Sequence, residues 1–427
     1  MTDRFACVIS LQQFRQTRST LVDSIRLPCG AVLKNRIVKS ATSETAGTID
    51  NRPTDGLSTL YQTWADGGAG LLITGNVMVD RQALSEPRNV ALEDASDLAA
   101  FQKWAQAGRS QGAHIWMQIN HPGKQAPRVL NDSAVSPSPV PMRRDMQALF
   151  APPTELTETD ILLIITRFAK SAKLAKEAGF TGVQIHGAHG YLVSQFLSPH
   201  HNRRTDRWGG SADKRCRFVL EVYRAIRHAV GDTFPVGIKL NSADFQQEGL
   251  QEDEALQIVK RLSSVGMDLI EISGGTYEAA AMSGIFHRQS TLAREAYFLA
   301  FAEHAREVCP TPLMVTGGFR TVAAMNQALQ TGAVDMVGLA RLLIMEPDAP
   351  WRLLQGLDPI YRVRAIKTGL RWIDDLGMME IAWYEGQLRR MAQGKPPIPD
   401  ESAWRSLLGV LFTAGLGGWQ TRRLRMR

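Results

Sequence analysis

The 427-residue chain contains no run of 18 uninterrupted apolar residues, which excludes a helix long enough to span a bilayer. Cysteine is scarce: Cys7, Cys29, Cys216 and Cys309 stand far apart, so neither an iron–sulfur cluster nor a disulfide framework is indicated. The N-terminus lacks the apolar core and small-residue cleavage site of a secretory leader, because Gln12, Gln13 and Arg15 interrupt it. A cytoplasmic location is therefore expected. A basic stripe over the body of the protein is missing as well. Of the net charge of +7, residues 402–427 carry five arginines and no acid, which leaves +2 for the rest, and no nucleic-acid partner is expected.

What is present has the composition of an ordinary globular protein, 44% hydrophobic and 21% charged, at a length that α/β barrels fill as one domain with additions. Short apolar strands recur at residues 36–41, 71–75, 114–119, 182–186, 236–240, 269–273, 313–316 and 335–338, each followed by a helical pattern. One such helix is announced by Thr157 and Asp160, a capping-box pair, and stopped by Gly179. Eight βα units in series favour a closed (β/α)8 TIM barrel over an open doubly wound sheet. In that fold catalytic groups come from the C-terminal ends of strands.

Those ends are chemically unusual here. The first strand runs into Ser40, Ala41, Thr42 and Ser43, small enough for a flat ring to approach the backbone; the second ends at Gly75 and the third carries Gln118. The fourth releases His186, His189 and Tyr191 into a loop broken by Gly187 and Gly190. Two imidazole donors beside a phenol can hold a carbonyl oxygen and protonate the neighbouring carbon. The bland alternative is a metal half-site, but no third ligand with zinc-like spacing follows, and no metal is expected. Lys239 lies inside the fifth strand, where an unpaired ammonium is costly, so it requires an anionic partner; a reduced flavin with negative charge near N1 would supply one. After strands seven and eight come Gly317-Gly318-Phe319-Arg320 and Gly338-Leu339-Ala340-Arg341, backbone amides freed by glycine beside an arginine, which suit a phosphate. Gly-Gly alone is more often a turn, and a single Gln118 on a strand is usually a satisfied core amide.

Several pieces in fixed order carry a resemblance: LKNRIVKSATSE (33–44), HIWMQINHPGKQA (114–126), HGAHGYLVSQFLSPHHNRRTDRWGGS (186–211), PVGIKLNSADF (235–245), REAYFLAFAEHAR (294–306), the GGF turn and VGLARLLIMEPD (337–348). Across roughly residues 24–357 the chain resembles the old yellow enzyme family of FMN-dependent oxidoreductases. The resemblance implies a barrel holding FMN non-covalently, reduced by NADH or NADPH. Ser40, Ala41, Thr42, Ser43 and Gly75 would lie along the isoalloxazine, Gln118 at its pyrimidine part and Lys239 by N1, while Gly317, Gly318, Ala340 and Arg341 would hold the phosphate. His186 and His189 would grip a substrate carbonyl, with Tyr191 as proton donor.

The function so implied is reduction of an activated C=C bond in a small molecule. A flavin dehydrogenase or NADH oxidase of the same fold, and a non-enzymatic flavin-binding scaffold, are the alternatives. Three departures bear on it. Lys239 stands where many relatives carry arginine, and Ser43 where threonine or cysteine is frequent, so the flavin potential is affected rather than its binding. The cysteine cluster and added nucleotide-binding domains of dienoyl-CoA reductases are absent from this chain. Residues 1–23 read as an N-terminal extension and 358–427 as a C-terminal one, with Trp372, Trp383, Trp404 and Trp419. That tail either packs on its own barrel or on a sister subunit of a homo-oligomer, or it serves a peripheral membrane or protein contact through residues 402–427.

Overall fold

Strand alternation decides this architecture, because every second residue of a strand faces the same side. The computed structural model describes residues 19–276, 278, 298–370 and 378–406. Cys7, Trp372, the first four residues of the 294–306 motif, the apolar run 407–419 and the arginine-rich end lie outside the described residues. Eight parallel strands, β1 (Ile37–Lys39), β2 (Leu71–Ile73), β3 (His114–Asn120), β4 (Gly182–Gly187), β5 (Val236–Asn241), β6 (Leu269–Ser273), β7 (Leu313–Thr316) and β8 (Met336–Leu339), close on themselves. Closure is made by β8 pairing with β1 (Val337 opposite Ile37) and by β3 pairing with β4 (Gly182 opposite Trp116). All eight predicted segments are strands, and the protein is a (β/α)8 TIM barrel.

Among the described residues a helix packs after each of the first seven strands: α1 (Asp55–Asp66), α2 (Leu98–Gly108), α3 (Glu158–Glu177), α4 (Ala212–Val230, preceded by the short helix Leu192–Leu197), α5 (Glu252–Ser264), α6 (Leu299–Val308) and α7 (Val322–Gln330). The expected capping box is present on α3: Thr157 and Asp160 each bond the other's backbone, and Gly179 follows with φ +88°. A short segment Arg341–Met345 and α8 (Ala349–Leu354) follow β8.

Outward-facing strand residues such as Ile37, Met117, Ile185, Ile238 and Ile270 join the helices in the larger core. Inward-facing Val38, Trp116, Leu269, Met314 and Met336 fill the barrel floor, where the hairpin Ile25–Arg26/Val32–Leu33 plugs the opening with Ile25 and Leu33. Trp116 needs space that only glycine leaves. A Cβ on Gly182 would come within 2.5 Å of its ring and one on Gly237 within 2.8 Å. One pleat repeat higher, the inward positions turn polar, and the site begins there.

Part of the C-terminal extension packs on the barrel. Helix α9 (Met378–Ala392) lies against α1, burying Trp383, Leu388 and Met391, and residues 394–406 return across it. Trp383 Nε1 donates to Glu401 O at 2.9 Å, and Gln387 Oε1 accepts from Ile398 N at 2.8 Å. Among the described residues, no helix is long and apolar enough to cross a membrane.

Candidate active site

The polar layer above the floor is continuous. Gln118 Nε2 on β3 donates to Gln184 Oε1 on β4 at 2.7 Å, and Gln184 Nε2 donates to Glu271 Oε2 on β6 at 2.7 Å. Glu271 Oε1 accepts from Thr316 Oγ1 on β7 at 2.7 Å and lies 3.0 Å from Lys239 Nζ on β5. Ser40 Oγ at the end of β1 lies 2.7 Å from Thr316 Oγ1. Three predicted flavin residues, Ser40, Gln118 and Lys239, are thereby brought together on one carboxylate. Glu271 corrects the sequence argument for Lys239: the required anion is supplied by the protein itself. Its signal was visible as a glutamate inside LIEIS, as anomalous in an apolar strand as the lysine of VGIKL.

At the end of β1 the predicted residues divide. Ala41 is partly buried, and Thr42 Oγ1 is buried without a partner among the described residues, a hydroxyl that a bound polar ring would satisfy. Ser43 Oγ instead donates to Glu86 Oε2, so its hydroxyl is engaged within the protein. Gly75 N–H is taken by Glu44 Oε1 and Tyr61 OH, both at 3.2 Å, and a Cβ there would sit 2.2 Å from Glu44 Oε2. Lys39, turned outward by the strand, completes that buried knot with Glu44 at 3.2 Å and Tyr61 at 3.1 Å, and so anchors the loop.

At the phosphate end Gly317 and Gly318 adopt φ of +111° and +89°, and a Cβ on Gly317 would meet nothing within 4 Å. Ala340 precedes the Arg341–Met345 segment in a non-helical conformation. Arg341 Nη1 is bonded at 2.7 Å to Glu380 Oε2 of α9, so the C-terminal extension reaches a predicted phosphate ligand. The orphaned Thr42 hydroxyl, the open Gly317 backbone and the donors on Lys239, Gln118 and Arg341 fit a phosphorylated, hydrogen-bonding ring such as FMN.

Above this layer the histidines and tyrosine converge. The His186 and His189 rings are 5.2 Å apart and edge-on, and the His186 and Tyr191 rings 4.7 Å apart. His189 has φ +60°, an uncommon conformation for a residue with a Cβ. It is clamped by its N–H to Asn241 Oδ1 (3.1 Å) and by Gln125 Nε2 to its carbonyl (3.0 Å). Three further residues that the sequence reading missed orient the site. Ser273 Oγ lies 2.8 Å from His189 Nε2, Asn76 Nδ2 donates to Tyr191 OH at 3.2 Å, and Asn241 sets the His189 backbone. Asn241 and Ser273 are the last residues of β5 and β6, and Asn76 lies three residues beyond β2, the end of the barrel that could have revealed them. We expect Ser273→Ala to loosen the His189 ring and weaken phenol binding by roughly fivefold, about 1 kcal/mol for a neutral hydrogen bond, as read by flavin absorbance titration.

Burial, then the charges of His189 and Lys239, hold the His186 imidazole well below its ordinary pKa. The protein around His189, followed by Lys239, pushes that ring down to about 3. Both are neutral at pH 7, and His186 Nδ1 accepts from Ala188 N at 3.4 Å, leaving the proton on Nε2. His121 in the loop after β3 is buried and held at about 4, chiefly by desolvation. Below pH 6.5 the unfolded chain protonates this ring while the folded protein does not until about pH 4. Stability therefore rises with pH across that window and is lost on acidification. His121 accounts for on the order of 2 kcal/mol between pH 7 and pH 5. His121→Asn should reduce the difference between urea denaturation curves at the two pH values by about that amount, the depressed His186 and His189 imidazoles accounting for a further share.

A family model described as the NADH:flavin oxidoreductase / NADH oxidase family matches residues 28–359. The chain is 38% identical over 351 residues to the NADH-dependent flavin oxidoreductase iliE of Neonectria sp. (strain DH2), covering 76% of this chain and 46% of that protein. It is 35% identical over 406 residues to the NADH-dependent flavin oxidoreductase iccE of Talaromyces variabilis, covering 87% of this chain and 98% of that one. The chain thus spans about half the length of the first relative and nearly all of the second. The solved old yellow enzyme homologue of Zymomonas mobilis superimposes with a TM-score of 0.69 at 23% identity, covering 82% of this chain and 95% of that one, a likeness of fold.

Proposed function

Because the chain belongs to the NADH:flavin oxidoreductase / NADH oxidase family, the old yellow enzyme family of FMN- and NAD(P)H-dependent oxidoreductases, we propose that its own reaction is reduction of an activated C=C bond. The observation that carries this reading is the convergence of His186, His189 and Tyr191 at the end of β4, with rings 5.2 and 4.7 Å apart. FMN, when bound, supplies the redox chemistry, taking hydride from NADH or NADPH and giving it to the β-carbon of the acceptor. Ser40, Ala41, Thr42, Gln118 and Lys239 hold its ring, and Gly317, Gly318, Ala340 and Arg341 its phosphate.

The rest is done by the side chains. His186 and His189, neutral and pre-oriented, donate to the acceptor's carbonyl oxygen, whose charge grows as the β-carbon is reduced, so they bind the transition state more strongly than the ground state. Tyr191 delivers its phenolic proton to the α-carbon. Asn76 donates to that phenol oxygen, which orients the hydroxyl and strengthens it as a donor.

The test is anaerobic bleaching of the flavin by NADH and by NADPH in turn, followed by re-oxidation with enones, nitroalkenes and quinones. Re-oxidation by an enone with recovery of the saturated product supports the reading. Re-oxidation by oxygen or quinones alone replaces it with an NADH oxidase or dehydrogenase.

A further inference from the structure

We propose that Glu271 is the positioning residue of the flavin-facing layer: its carboxylate balances the Lys239 charge and sets the direction of the hydrogen bonds that end on Gln118 and Ser40. This rests on the reading that Ser40, Gln118 and Lys239 face the flavin.

The direction follows from donor and acceptor inventory. An ionised carboxylate only accepts, so the group facing Glu271 Oε2 must be the Gln184 amide nitrogen, at 2.7 Å. Gln184 then presents its oxygen to Gln118, which must offer Nε2, also at 2.7 Å. That leaves Gln118 with its Oε1 acceptor and its second Nε2 hydrogen, matched to adjacent N–H and C=O groups such as those of a flavin pyrimidine. In the second arm Thr316 spends its one hydroxyl proton on Glu271 Oε1, so the 2.7 Å contact with Ser40 is made by the Ser40 proton. Ser40 therefore also presents lone pairs. Were Glu271 an amide, neither sense would be dictated. Glu271 and Gln184 are fully buried and Lys239 is nearly so, a low-dielectric setting that strengthens these contacts.

Charge is the second consequence. A cation beside the pyrimidine stabilises the negative charge of the reduced flavin and raises its potential. Here that cation lies 3.0 Å from a buried anion, so the pair's net field at the ring is weak. Neutralising Glu271 restores the field.

The experiment measures the FMN midpoint potential against reference dyes, with FMN affinity from flavin fluorescence, in the full-length holoprotein. We expect Glu271→Gln to shift the potential positively, and the double variant Lys239→Gln/Glu271→Gln to stay near the parent, because both members of a balanced pair are gone. Gln184→Leu keeps both charges and breaks one arm, so it should weaken FMN binding by about tenfold with a potential shift smaller than that of Glu271→Gln. A double variant whose potential falls well below the parent's means that Lys239 acts unopposed, and overturns the proposal even if Glu271→Gln does not fold. An unshifted or lowered potential in Glu271→Gln overturns it too. If no variant, including Lys239→Gln alone, changes either potential or FMN affinity, these residues do not face the flavin and the underlying site reading fails instead.

Discussion

Tyr191→Phe should retain FMN and accept hydride from NAD(P)H at the parental rate, yet reduce simple enones at least about 100-fold more slowly, the usual scale for a positioned general acid. In the proposed mechanism the phenol takes part only after the nicotinamide has left, which produces the asymmetry. The ring is buried and packs edge-on against His186, so phenylalanine preserves shape and removes only the hydroxyl bonded by Asn76. Rapid-mixing measurements of the two half-reactions separate the effects. Equal enone reduction by variant and parent would remove Tyr191 from the chemistry, whereas a matching loss in both half-reactions would mark it as a structural residue.

Replacing His186 and His189 together with alanine should abolish tight binding of phenols and slow enone reduction by two to three orders of magnitude. One such donor is worth roughly 2.7 to 4 kcal/mol in acyl-transfer sites, and two donors to the same oxygen act as a unit, so their losses do not add. Because both imidazoles are neutral well below pH 7, the parent's affinity should show no inflection near pH 6.5 arising from them; an inflection there would mean that one carries the proton in the resting protein. Retained flavin absorbance in the double variant is the control, since the proposed FMN ligands lie in the layer beneath. Parental phenol titrations in the variant would place the carbonyl site elsewhere.

Much of the molecule was legible in the chain because its determinants are local. Each of the eight strands is an apolar run bounded by turn residues, and Thr157, Asp160 and Gly179 mark their helix by chemistry acting within a few residues. The order His186, His189, Tyr191 within one strand-end loop is likewise local, so their convergence was readable before any fold was known. Partners distant in sequence were not. Lys239 called for an anion, but burial energy states only that one must exist; that it is Glu271 rather than a cofactor follows from β5 and β6 running parallel with these two residues in register. Arg341 and Glu380 lie 39 residues apart, and their pairing depends on α9 docking against α1. The tail illustrates the same limit, since its tryptophans announce burial without naming the surface, and only packing showed that Trp383 is enclosed by the protein's own barrel helices and by residues 394–406. Alternation along a strand determined which residues face inward. Only barrel closure, by bringing six strands around one axis, determined that Ser40, Gln118, Gln184, Lys239, Glu271 and Thr316 form a single hydrogen-bonded layer, because that adjacency depends on register between strands far apart in the chain.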